Sequence, residues 1–113
     1  MNTVILSTYF PSDFKSLYWF TSGDYDFLTR ERSFTKGDFI VIDLYHNYFS
    51  GVNILDDLHT FLNKLDKKGV KWLLYIPNNQ LIQDLFSNYN IHSIPAQRYR
   101  HKIPALYISN YSA

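Results

Sequence analysis

Apolar residues fall along this chain in two kinds of block. Some are short runs rich in β-branched and aromatic residues, and others recur every third or fourth position. The first kind marks strands and the second marks amphipathic helices. Residues 3–9 (TVILSTY) form a run that ends before Pro11 and predict a first strand. Phe14, Leu17 and Tyr18 then stand at i, i+3 and i+4, which predicts a helix over residues 11–20 with Gly23 as its stop. Residues 25–28 read as a short strand and residues 29–37 as a polar loop. Residues 39–44 (FIVIDL) are almost continuously apolar, the habit of a strand covered on both faces.

The clearest helix follows over residues 52–67, with Ile54, Leu55, Leu58, Phe61, Leu62 and Leu65 on one stripe. Asn53 is a candidate N-cap, and Lys67, Lys68 and Gly69 suit the other end. Residues 70–76 (VKWLLYI) predict a strand stopped by Pro77. Residues 79–88 carry a second stripe of Leu81, Ile82, Leu85 and Phe86, and residues 91–94 a short strand before Pro95. In the tail, residues 97–113, two alternatives stay open. Either a short helix starts near Pro104, or residues 105–109 (ALYIS) form an extended edge segment.

Strands alternating with helices predict an α/β fold, in which a parallel sheet carries helices on both faces. Ligands of such sheets sit at the carboxyl ends of the strands. The chemistry is therefore expected in residues 7–11, 43–51, 76–79 and 95–97.

The chain has 113 residues, the size of a single domain spanning 1–113. With 46% hydrophobic and 19% charged residues, it is expected to fold rather than stay disordered. Aromatics reach 19%, including 10 Tyr, and surplus Tyr suits contact surfaces. A formal net charge of +1 offers no strong field toward nucleic acid or anionic lipid. There is no cysteine, so disulfides and thiolate metal sites are excluded, and a reducing, cytoplasmic setting is expected. No signal peptide or membrane-spanning run is evident, so the sequon at Asn110-Tyr111-Ser112 is set aside.

The segment from Asp38 to Leu55 (DFIVIDLYHNYFSGVNIL) resembles the centre of a response-regulator receiver domain. In that family a strand opens with Asp and ends five residues later in the phosphoacceptor Asp. A Gly follows eight residues further on, before an amphipathic helix. Asp38, Asp43 and Gly51 reproduce the spacing. The resemblance implies a three-layer, flavodoxin-like fold with a parallel sheet of about five strands. It also shows what is missing. Ser7-Thr8 stand where paired acids would hold Mg²⁺, Ile76-Pro77 where a Ser or Thr would bond the phosphoryl oxygen, and Pro95 where a Lys would pair with it. Phosphoryl transfer needs that neutralisation, so Asp43 reads as a vestigial acceptor and no enzymatic activity is expected.

The stretches VIDLYHN and FLNKLDKKGVKWLLYIP look similar to the N-terminal, degenerate receiver-like domains of enterobacterial LuxR-type transcription regulators of the acid-resistance type. The resemblance implies a bacterial regulatory domain that dimerises or binds a protein partner. DNA would be bound only through a separate helix-turn-helix domain, absent from these residues. It places the interaction surface in residues 79–111, with Leu81, Leu85, Tyr99, Arg100 and Tyr107 as candidates. No cofactor, small-molecule ligand or membrane partner is implied.

Each feature also has a plainer reading. Asp43 suits a strand-end Asp that bonds backbone amides in the next turn. His46, His59, His92 and His101 show no ligand spacing with acids, so no metal site is expected. Residues 98–102 (RYRHK) are a basic cluster that reads as a solvated face before it reads as a phosphate contact. Tyr45, Tyr48 and Phe49 form either an exposed patch or part of the core. Ser50-Gly51, before a helix, also fits a STAS-like anti-sigma factor antagonist, which would need consecutive strands in the N-terminal third. A stand-alone adaptor or inhibitor is a further alternative.

Overall fold

The structure is a computed structural model that describes residues 9–21, 26–44, 52–94 and 104–112. Five strands form one sheet: β1 (Ser16–Thr21), β2 (Asp38–Asp43), β3 (Lys71–Pro77), β4 (Asn90–Ile94) and β5 (Ala105–Ser109). Two α-helices, α1 (Val52–Lys67) and α2 (Gln80–Leu85), and two short 3-10 helices, Asp26–Thr29 and Glu31–Ser33, connect them. The spatial order is β1-β2-β3-β5-β4. β1, β2 and β3 run parallel, whereas β5 is antiparallel to both of its neighbours. The fold is thus α/β, and the sheet is mixed rather than wholly parallel.

β2 along its length, and β3 from Trp72 to Ile76, are buried because both faces of the sheet are covered there. On one face Ile40, Ile42, Trp72, Leu74, Leu106 and Ile108 pack with Leu55, Leu58, Phe61, Leu62 and Leu65 of α1 and with Ile82 beside Phe86. On the other, Phe39, Val41, Leu73, Tyr75 and Tyr107 pack with Tyr9, Phe10, Trp19 and Tyr111. Both described α-helices therefore share one face of the sheet. The opposite face is an aromatic cluster, with Tyr107 stacked between Tyr75 and Tyr9 at ring distances of 4.6 and 4.5 Å.

α1 has the bounds its stripe predicts, and Asn53 falls inside the helix rather than at its cap. Its end follows from Gly69, whose φ of 81° is left-handed. That turn lets Lys68, Gly69 and Val70 donate back to Lys64, Asp66 and Leu65 carbonyls. α2 is capped by Asn79, whose Oδ1 accepts from Leu81 N–H at 2.7 Å.

Three expectations change. Residues 16–21, expected in a helix, form β1. Leu17 and Trp19 lie on one face of the strand and Phe20 on the other, so its apolar residues coincide with helical spacing only because both faces are used. Residues 26–28, expected as part of a strand, lie in a 3-10 turn over Asp26–Thr29 that buries Phe27. The tail strand β5 is extended as one alternative held, but it is interior rather than an edge. It runs antiparallel to both neighbours and lies between β3 and β4. The expected strand over residues 3–9 lies almost wholly outside the described residues, and both flanks of β2 are already taken by β1 and β3.

Candidate functional site at the carboxyl ends of the strands

Asp43 ends β2, one residue before the end of the expected strand over 39–44, and is only 6% exposed. In register it lies between Thr21 of β1 and Tyr75 of β3. The following Leu44 N–H donates to Tyr75 O at 2.8 Å, which holds the strand end against β3. The residue beside Asp43 on β1 is therefore a threonine. Pro77 ends β3 and pairs with Ala105 of β5. Because β5 intervenes, β4 lies three strands from β2. At about 4.8 Å per strand, its end is about 14 Å across the sheet from Asp43. A cation placed just beyond β4 would start one strand further from the acceptor than in an all-parallel sheet whose third and fourth strands are adjacent.

Asp38 and Asp43 are not brought together. They stand at opposite ends of β2, five residues or about 17 Å apart. Asp38 Oδ2 accepts from Thr35 N–H at 2.9 Å, and Asp38 N–H donates to Thr35 O, closing the turn into β2. Lys15 Nζ approaches Asp38 Oδ1 at 3.9 Å and donates to Thr35 Oγ1. Asp38 is a buried turn residue at the amino edge of the sheet.

The remaining predicted residues scatter. Leu81 is 48% exposed on α2, whereas Leu85 is half-buried against the core below it. Tyr107, offered as a surface residue, is 1% exposed and lies on the opposite face of the sheet from α2. It cannot share one surface with Leu81 and Leu85. Gly51, Tyr99 and Arg100 lie outside the described residues, as do Ser7, Thr8, His46, Ser50, Pro95 and the loop aromatics Tyr45, Tyr48 and Phe49. His59 packs edge-on against Phe86, and His92 lies beside the Tyr9 ring. Among the described residues no three His, Asp or Glu side chains converge as metal ligands.

Features that the one-dimensional pattern hides appear elsewhere. A cleft of about 340 Å³ at the amino edge is lined by Asp13, Phe14, Lys15, Lys36, Gly37, Gly69 and Lys71. Tyr111, 8% exposed, donates its hydroxyl to Tyr9 O at 2.7 Å, and burial raises its pKa. Tyr89 donates to Asn63 Oδ1, and its pKa is raised by burial and then by the charge of Asp66. These hydroxyls stay protonated at neutral pH and serve as structural donors. No helix among the described residues is long and apolar enough to cross a membrane.

No protein-family model matches the chain, and no curated protein matches it significantly.

Proposed function

We propose that this chain is a regulatory domain that acts by binding another protein, a second copy included, without aspartyl phosphorylation and without catalysis. The observation that supports this reading is the composition of the carboxyl edge. Asp43 has Thr21 on one side, and on the other Tyr75 in a strand that ends in Pro77. In register beside Asp43 stand a threonine and a tyrosine rather than a second acid, and β3 ends in Pro77 without the hydroxyl that would bond a phosphoryl oxygen. In this reading the receiver-like, three-layer ancestry accounts for the β2–loop–α1 spacing, and the domain is the cytoplasmic, bacterial partner-binding half of a LuxR-type transcription regulator. DNA contact belongs to a separate helix-turn-helix domain.

The test is an amide spectrum of the ¹⁵N-labelled chain with Mg²⁺ and beryllofluoride, together with the intact mass after acetyl phosphate. Unchanged resonances around Asp43 and an unchanged mass are expected. A saturable shift centred on Asp43, or a mass gain of one phosphoryl group, would overturn the reading.

The STAS-like reading gains one observation. β1 stands where a helix was expected, so β2 follows a strand with only 3-10 turns described between them. It predicts modification at Ser50 rather than Asp43. Incubation with a cognate serine kinase and mapping of the modified peptide separates the two.

A further inference from the structure

We infer that the free edge of β1 is a dimerisation surface, on which β1 of a second copy pairs antiparallel to make one continuous sheet. This rests on the protein-binding reading above and names its surface and its occupant.

Among the described strands the two edges of the sheet are β1 and β4. β4 reads NIHSI, and its Asn90, His92 and Ser93 are exposed. β1 reads SLYWFT, with no charge, proline or bulge inside it. Lysines, prolines and bulges are what normally keep an open edge from pairing. Leu17 and Tyr18 on this edge are 42% and 39% exposed.

The direction of the backbone groups follows from the ladder. Leu44 N–H donates to Tyr75 O, so the even-numbered residues of β2 face β3 and Phe39, Val41 and Asp43 face β1. In the parallel register of β1 and β2, those three bond residues on either side of Leu17, Trp19 and Thr21. The N–H and C=O groups of Leu17, Trp19 and Thr21 therefore point away from the sheet. None has a partner among the described residues.

Those three residues select the register. A two-fold axis normal to the sheet keeps each face continuous, so opposed residues must share a face and their numbers must sum to an even value. A sum of 38 pairs Leu17 with the partner's Thr21 and Trp19 with the partner's Trp19. All three outward residues then bond, giving about six hydrogen bonds. Tyr18 falls opposite the partner's Phe20 in the closer, non-bonded type of pair, where aromatic side chains contribute most. Charge permits this pairing. The lysine that precedes β1, Lys15 of each copy, is offset from its counterpart by eight residues, about 26 Å, well beyond the screening length of about 8 Å. Each Lys15 also has Asp38 beside it. The product is a ten-stranded sheet, with α1 and α2 of both copies on one side.

The experiment is sedimentation equilibrium of the full 113-residue chain, with two double variants at exposed positions. The wild type is expected at twice 13.4 kDa. L17K/T21K sets like charges opposite each other in both bonded pairs and is expected to weaken the dimer about 10-fold or more. L17K/T21E sets opposite charges there and is expected to restore it. Circular dichroism and urea midpoints of both variants confirm that each is folded. A monomeric wild type at all concentrations overturns the inference and leaves binding to a different protein intact. A dimer of equal strength in all three proteins shows that the copies meet elsewhere, which overturns the β1 edge alone.

Discussion

Replacing Asn110 with Ala tests how the tail is built into the sheet. Asn110 follows β5, and its side chain completes what the strand ladder leaves open. Its Oδ1 accepts from Trp72 N–H at 2.9 Å, and its Nδ2 donates to Val70 O at 2.9 Å and to Asp66 Oδ1 at 3.1 Å. One amide thus joins the end of α1, the start of β3 and the last strand. Two of the bonds are partly buried, and each is expected to contribute about 1 kcal/mol net. The bond to Asp66 is exposed and counts for less. Losing the acceptor also leaves the Trp72 amide beside a fully buried indole with no replacement. Asn110→Ala should therefore cost about 2–3 kcal/mol. With a urea dependence of about 1–3 kcal/mol per molar, the unfolding midpoint should fall by about 0.7–3 M at an unchanged slope. Asn110→Asp keeps the acceptor for Trp72 but loses both donors and faces Asp66, so it should also be destabilised. Amide exchange adds a local readout, in which Trp72 should lose more protection than Leu74 at the strand centre. An Asn110→Ala stability within about 0.5 kcal/mol of wild type, with Trp72 protection retained, would refute the assignment.

Two further outcomes follow from single positions. Gly69 has a φ of 81°, and a Cβ there would stand 3.1 Å from Lys36 Cγ, so Gly69→Ala should cost about 1–2 kcal/mol. Shortening Lys36 to Ala in the same chain should recover only the steric share, which a double-mutant cycle of urea midpoints measures. The folded-state pKa of Tyr111 is raised above its unfolded value, so the folded state holds its proton after the unfolded chain has lost it. That stability is complete below about pH 10 and declines as pH rises through the alkaline range. Tyr111→Phe should flatten this decline, while tyrosinate absorbance of the wild type should appear only with unfolding for that residue.

α1 was legible in the sequence because Leu55, Leu58, Phe61, Leu62 and Leu65 repeat on one helical stripe, and Gly69 supplies the only backbone that ends it so tightly. β2 and β3 were legible because a strand buried on both faces must be apolar at nearly every position. Asp43 at the end of β2 follows from the same run. Local pattern could not separate helix from strand at Ser16–Thr21, where apolar side chains point both ways. Only the ladder with β2 decides it. Nor could it place β5. An ALYIS run reads the same at an edge or inside a sheet, and the difference lies in Asn78 N–H meeting Pro104 O and in partners on both flanks. That insertion removes Tyr107 from the surface and moves β4 one strand further from Asp43. The sequence by itself determined which segments are apolar enough to pair and that an aspartate stands at the end of the first buried run. The tertiary structure decided which strands are neighbours, because strand pairing depends on contacts far apart in the chain that no local spacing encodes.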